Sequence, residues 1–237
     1  MESKSLNKYI AETGFCSRRQ ADTYIEQSRV TINGVTAVKG NRVNVGDVVK
    51  LDGELIAPAT KKRVYIALNK PVGVTCTTDT SDPDNIIDFL DFPERIFPIG
   101  RLDKMSEGLL LLTNDGDIVN KILRSRNNHE KEYIVSVNKV IIPEFIEKMG
   151  SGVPILDTIT KPCYVERLDD YTFKIILTQG LNRQIRRMCA HLGYHVRKLV
   201  RVRIMHITLG DLPSRSWRYL TNEEMTTMNM MVQESDK

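Results

Sequence analysis

Apolar residues recur in this chain with two periods, and the places where the period changes mark out its elements. Leu6, Tyr9 and Ile10 keep helical spacing until Gly14, which suits a short helix ended by glycine. Ser17 is placed to N-cap a second helix whose inward face carries Ala21, Tyr24 and Ile25. The period then drops to two. "VTINGVTA" alternates around Asn33-Gly34, a two-residue hairpin signal, and "VNVGDVVKLDGELI" supplies a further strand pair. Pro58 and the basic run Lys61-Lys62-Arg63 then break the pattern. A module over 5–57, a linker over 58–63 and a second domain over 64–232 are expected.

In the second part strands and helices mix without strict alternation. "VYIAL" from Val64 predicts a buried strand ended by a turn at Pro71 and Gly73, and Leu109 to Thr113 predicts another. Asn114-Asp115-Gly116 reads as a turn before a helix carrying Ile118 to Leu123. "KEYIVSVNK" is a strand, and "IPEFIEKMGSGV" a helix opened by Pro143 and closed near Gly150. "PCYVERLDDYTFKIILTQG" is a hairpin turning at Asp169-Asp170. "NRQIRRMCAHLG" is a helix capped by Asn182 and ended by Gly193, and "VRKLVRVRIMHITLG" is one long strand. A short polar tail is expected after it. The whole is α+β, with a mixed, largely antiparallel sheet flanked by helices and a small helical and hairpin head.

Composition changes this picture little, but charge placement changes it more. The chain has 237 residues, 41% hydrophobic, enough for real cores without metals or disulfides. Cys16, Cys76, Cys163 and Cys189 form no CxxC pair, and "MESKSLNKYI" lacks the apolar stretch of a signal peptide, so a reducing, cytoplasmic setting is expected. No apolar run approaches the roughly 20 residues that cross a bilayer. The net charge is only +4, yet Leu181 to Arg218 holds nine basic residues against one acid, Asp211. Arginine dominates that block, which favours planar, bidentate binding of phosphate and points to nucleic acid.

Asp103 raises the chemical question. It follows Gly100, Arg101 and Leu102 just ahead of the apolar run, with no histidine or second acid close by. A glycoside hydrolase needs a paired carboxylate, and none is marked in sequence. No GxSxG elbow signals a Ser-His-Asp site, and no glycine-rich phosphate loop follows a strand. Cys189, His191 and His195 are the only candidate metal cluster. Positions two apart on a helix face away from each other, and His195 lies beyond Gly193, so no metal site is expected.

"CSRRQADTYIEQSRVTINGV", with its surroundings over residues 5 to 52, resembles the S4 RNA-binding domain. That resemblance implies an RNA-facing surface carrying Lys8, Arg18, Arg19, Arg29 and Asn33. Arg18 and Arg19 sit in the first turn of the second helix, where basic groups oppose the helix dipole and are better understood as facing phosphates.

"GRLDKMSEGLLLLTNDGD" is similar to the catalytic motif of pseudouridine synthases, in the branch that includes the ribosomal small-subunit enzyme and the B, E and F types of large-subunit enzyme. "LNKPVG", "EKEYIV", "QGLNRQIRRMCAHLGYHV" and "KLVRVRI" agree in order and spacing, and the stretch from Arg95 to Tyr133 is most similar to the F type. The resemblance implies isomerisation of a specific uridine in ribosomal RNA, in the 23S RNA of the large subunit. Small-subunit RNA, transfer RNA and a noncatalytic ribosome-assembly role are the alternatives. The reaction breaks N1–C1′, turns the uracil and rejoins it through C5. It involves no redox change, so no cofactor is expected.

By the same resemblance Asp103 is the essential carboxylate, either nucleophile at C1′ or base in a glycal route. Arg186 is its arginine partner, with Arg183 and Arg187 as local alternatives that otherwise meet phosphates. Arg183 lies on a similar helix face to Arg186, and Arg187 about 100° away. Tyr133 stacks on the target base, with Leu199 against the same base; core packing is the competing reading for both. Arg101 braces the RNA or forms a structural ion pair, and Lys70 helps position the catalytic loop. A monomer is expected, since each copy must embrace a large RNA.

Overall fold

The computed structural model describes residues 3–57, 62–124 and 127–233. Residues 58–61 of the expected linker, and residues 234–237 of the expected polar tail, lie outside the described residues. The chain divides into two compact units, Met1–Arg63 and Val64–Lys237.

The first unit runs β1 (Lys4–Ser5), α1 (Leu6–Glu12), α2 (Arg18–Glu26), β2 (Val30–Ile32), β3 (Val35–Thr36), β4 (Arg42–Val43), β5 (Val49–Leu51) and β6 (Glu54–Leu55). Ser17 caps α2 in a reciprocal box: its hydroxyl accepts from Gln20 N, and its own N–H donates to the Gln20 side chain. Asn33 (φ 53°) and Gly34 (φ 83°) both take the left-handed conformation that the tight β2–β3 turn requires. β3-β2-β5-β6 form one sheet, and β1 pairs with β4. Leu6, Ile10, Ala21, Ile25, Val30, Val49 and Leu51 fill the space between helices and strands.

The second unit runs β7 (Tyr65–Lys70), α3 (Ile86–Leu90), β8 (Phe97–Ile99), β9 (Glu107–Thr113), α4 (Gly116–Leu123), β10 (Lys131–Val137), α5 (Pro143–Ser151), β11 (Pro154–Ile155), β12 (Thr158–Ile159), β13 (Tyr164–Arg167), β14 (Thr172–Leu177), α6 (Gln184–His191), β15 (Val196–Ile204), β16 (Ile207–Thr208), β17 (Trp217–Tyr219) and α7 (Asn222–Gln233). Among the described residues the main sheet has nine strands in the path β13-β14-β10-β15-β9-β7-β17, with β16 on β15 and β8 on β9. The β15–β9 pair is parallel; the other pairs are antiparallel.

The apolar runs of β7 and β9 are continuous because both faces of these strands are covered. Tyr65, Ala67, Leu109 and Leu111 join the core under α4 and α7, while Ile66, Leu68, Leu110 and Leu112 join the core that holds α3. A third core packs α5 and α6 on β10, β14 and β15, with Phe145, Phe173, Met188 and Leu199 inside. Each such buried side chain is worth about 1.5–3 kcal/mol, so three cores fix the sheet firmly.

Four expectations need correction. α6 is not capped by Asn182: Arg183 occupies the cap position in a left-handed conformation (φ 50°) and makes no side-chain cap bond. α5 runs past Gly150 to Ser151 and ends at Gly152 (φ 110°), where a Cβ would crowd the Thr160 carbonyl oxygen at 2.8 Å. The long last strand breaks at Met205 (φ 54°), and the chain folds back as β16. The presumed polar tail contains α7, which buries Met228 and Val232.

Candidate active site

Asp103 lies in the loop that joins β8 to β9, and neighbours hold this loop from every side. Leu102 buries its side chain in the core with α3, and its N–H donates to Cys76 Sγ at 3.4 Å. Gly73 N donates to the Lys104 carbonyl at 2.8 Å, and Ser106 N to the Asp103 carbonyl at 3.0 Å. Lys70, at the end of β7 and fully buried, donates from Nζ to the carbonyls of Pro71 (2.7 Å) and Ser106 (2.8 Å). Asp103 itself stays partly exposed. The loop is therefore fixed through its backbone and its apolar residues, leaving one carboxylate in the open.

Arg186, in the first turn of α6, completes the arrangement from 83 residues away. Its Nε stands 3.5 Å from Asp103 Oδ2. Its Nη2 donates to the Met105 carbonyl (2.8 Å) and to Ser106 Oγ (3.1 Å), so the cation is anchored by the loop whose acid it faces. Nε is buried and makes no hydrogen bond, which leaves the Asp103 contact as a charge pair rather than a tight bidentate bridge. Such a carboxylate keeps its second oxygen available to a ligand.

The cleft above this pair has two lobes. The narrow one, about 120 Å³, is lined by Asp103, Arg186, Tyr133 and Leu199 among others. The wide one, about 720 Å³, shares Arg101, Asp103, Tyr133 and Arg183 with it and extends to Cys76, Lys131 and Arg201. Tyr133 is half-buried on β10 and packs against two of the cores while lining both lobes. Leu199 is both a core residue and a cleft wall, so the two readings of it coexist. Arg101 is exposed and, among the described residues, makes no ion pair. Arg183 is exposed at the rim.

Other sequence-chosen residues fall elsewhere. Lys70, expected to help position the catalytic loop, lies fully buried beneath it rather than at an RNA-accessible surface. Arg187 points away from the cleft and donates to the Asn182 carbonyl (3.0 Å) and to Asn182 Oδ1 (3.1 Å). In the first unit Arg18 and Arg19 are exposed on α2, and Lys8 stands 3.6 Å from Glu12. Arg29 grips Asp52 with two hydrogen bonds (3.0 and 2.6 Å) and covers the Tyr24 ring. Asn33 donates to Asp47 Oδ1 and accepts from Val48 N, each at 2.8 Å, which ties its turn to the next loop. Cys189 is buried while His191 and His195 are exposed, and among the described residues no group of three His, Cys, Asp or Glu is placed to hold a metal ion.

Three site features escape the sequence. Lys131 is 7% exposed and Arg201 2% exposed, yet both line the wide lobe. Burial, reinforced by the Arg201 charge, pushes the Lys131 ammonium down to about 8, and burial also lowers that of Lys70. Gly108 sits where β9 meets β15, and a Cβ there would strike the Arg201 backbone. Four residues lie in one row across the sheet: Lys70 pairs with Gly108, Gly108 with Arg201, and Arg201 with Tyr133. The basic "KLVRVRI" is visible in sequence, but which of its arginines turns inward depends on the register with β9.

The family model for RNA pseudouridylate synthase matches residues 64–191, the part of the chain that builds this cleft. The chain belongs to the RNA pseudouridylate synthase family. The S4 domain model matches residues 5–49, within the first unit. Among curated RNA pseudouridylate synthases, the chain is 55% identical to the dual-specificity RNA pseudouridine synthase RluF of Escherichia coli (strain K12), over 98% of this chain and 81% of that protein. It is 32% identical to the ribosomal large subunit pseudouridine synthase B of Bacillus subtilis (strain 168), over 95% and 96%. A crystal structure of a pseudouridylate synthase superposes with a TM-score of 0.70 at 32% identity, covering 95% of this chain and all of that one. An α+β RNA pseudouridylate synthase with an S4 domain is thus the architecture at hand.

Proposed function

We propose that this chain isomerises a uridine of ribosomal RNA to pseudouridine, in the 23S RNA of the large subunit, with Asp103 as the reacting carboxylate. The observation that carries this reading is the 3.5 Å approach of Arg186 to Asp103 on the floor of a cleft walled by Tyr133. An enzyme acting at C1′ must draw its nucleotide out of the stack, and the Tyr133 ring offers a face that offsets part of the unstacking. Leu199, on the wall of the narrow lobe, supports the same base. Arg186 orients the carboxylate, and the bonds from Lys70 and Arg186 to the Ser106 region hold its loop still.

The exposed Arg101 and Arg183 at the rim, with Arg187 beyond it and Lys8, Arg18 and Arg19 on the S4 domain, take the phosphates of the folded RNA. Arg29 and Asn33 act through the shape of their turns. The dual specificity of the RluF relatives supports a second RNA substrate, with transfer RNA as the candidate. The protein works as a monomer in the cytoplasm; no helix among the described residues is long and apolar enough to cross a membrane.

The test uses unmodified ribosomal RNA carrying tritium at uridine C5. Isomerisation releases tritium to water with no loss of base. Free uracil as the main product would instead mark a glycosidase, and neither product would leave an RNA-binding protein without chemistry.

A further inference from the structure

The floor of the wide lobe carries more positive charge than the described site uses. Lys131 and Arg201 line it and are buried, Lys70 is buried under the adjoining loop, and the carboxylates near enough to pull on Lys70 are Asp103 and Glu107. Glu107 already faces Lys198 at 3.0 Å, and Asp103 faces Arg186. Lys70 spends its donors on two carbonyls. Lys131 gives one, to the His129 carbonyl at 3.1 Å, and so keeps two. Arg201 gives Nε to the Leu109 carbonyl at 2.8 Å, while its buried Nη2 has no partner. Buried cations with unspent donors are costly unless a ligand completes them.

Resting on the isomerase reading above, we propose that Lys131 and Arg201 form an anion subsite that takes the negative charge of the uracil ring while it is detached from the sugar. Breaking N1–C1′ leaves the bonding pair on uracil, spread over N1, O2 and O4. C1′ is meanwhile bonded to an Asp103 oxygen, or C2′ has given its proton to that carboxylate. The ring turns, C5 bonds to C1′ and Asp103 is freed; the C5 proton leaves and N1 takes one up, so the product is an isomer. A ring that must turn in place cannot rely on one directed hydrogen bond. Two cations on the floor hold it in any orientation.

Burial decides between uracil and phosphate as the anion. Phosphates belong to the polymer and stay at the cleft mouth, where Arg101, Lys104 and Arg183 are exposed. Lys131 and Arg201 lie beneath, within reach of a group inserted as deeply as the base itself. Tyr133 is their neighbour on both counts: it is two residues from Lys131 and directly opposite Arg201 in the β10–β15 register.

The experiment compares the full chain with Lys131→Met and Lys131→Arg on C5-tritiated ribosomal RNA. It measures turnover, RNA affinity and free uracil by mass spectrometry. Lys131→Met should lower kcat by about 100-fold, the usual effect of losing one preorganised charge donor, with Kd within about twofold. It should also release free uracil and leave abasic RNA, because the detached ring is no longer held. Lys131→Arg should recover most of the turnover and suppress the free uracil. If Lys131→Met does not fold, Lys131→Gln carries the same readout. Unchanged turnover would overturn the proposal, as would a loss confined to Kd with a shallower salt dependence, which marks a phosphate contact. A wild-type protein that releases no tritium sinks the isomerase reading itself, whereas an active wild type with indifferent variants sinks the subsite alone.

Discussion

Gly108 and Arg201 meet backbone to backbone where β9 runs parallel to β15, so closely that a Cβ on Gly108 would lie within 2.8 Å of the Arg201 nitrogen and still nearer its carbonyl oxygen. Gly108 also takes φ +102°, a conformation that L side chains rarely adopt. The contact seats the guanidinium of Arg201 beneath the cleft. Gly108→Ala should therefore destabilise the protein by about 3 kcal/mol or more, and activity should fall with it. Denaturant unfolding of both proteins checks this; a variant with the wild-type midpoint would show that the two strands are not so tightly joined.

Lys70→Met separates positioning from binding. The substitution removes a buried charge but leaves the Pro71 and Ser106 carbonyls without their donor, so the net change in stability is small, within about 2 kcal/mol. The Asp103 loop loses a fixed point, and turnover should drop by about tenfold or more with RNA affinity intact. Steady-state kinetics beside equilibrium binding decide the matter. Weak binding with normal turnover would put Lys70 in contact with RNA after all.

Much of this was legible in the sequence, and the exceptions share a cause. The Asn33-Gly34 turn, the Ser17 cap, the Pro143 helix start and the doubly buried runs in β7 and β9 follow from local chemistry, and all are present. β8, β17 and α7 exist through tertiary pairing. β8 is three residues long and needs β9, and α7 is a methionine-rich segment with weak patterning that is organised by the core it covers. Asp103, Arg186 and Tyr133 could be named from motifs resembling a known family. Lys131 and Arg201 could not, because the way Lys131 and the arginines of "KLVRVRI" face depends on pairings between distant segments, β10 antiparallel to β15 and β15 parallel to β9. The left-handed Arg183 likewise has no local signature, since arginine is not a residue that seeks that conformation.

Stability and activity should respond oppositely to alkaline pH. The folded Lys131 titrates near 8 against 10.5 for an exposed lysine, so above pH 8 the folded state gives up this proton before the unfolded one does. Stability contributed at this site therefore rises between pH 8 and 10.5, by up to about 3 kcal/mol, and the burden of the buried charge is full below pH 8. The charges coupled to it are Arg201 from β15 and His129, whose ring the Lys131 ammonium helps to hold below its ordinary value, while Tyr133, Arg183, Cys76, Arg101, Asp103 and Lys104 line the same lobe. Turnover should decline over the same range as the cation is lost. Denaturation of wild type and Lys131→Met across this range isolates the effect; a constant difference between them would contradict it.

Arg18 and Arg19 test the S4 domain independently of the chemistry. Both are exposed in the first turn of α2, and on the proposed reading replacing them with alanine removes two phosphate contacts. The dependence of log binding constant on log salt should become shallower by about 1.4 to 1.8, at 0.7 to 0.9 per contact, with turnover at saturating RNA unchanged. An unaltered salt slope would place the RNA on another surface.

The most direct measurement is tritium release by Asp103→Asn, with RNA affinity measured in parallel. Asparagine preserves the size of the side chain and the fold of its loop but can neither bond to C1′ as an anion nor accept a proton from C2′. Turnover should fall by about 10³-fold or more while the RNA still binds within about threefold of wild type. An Asp103→Asn protein that releases tritium at a rate near wild type would contradict the account at its centre.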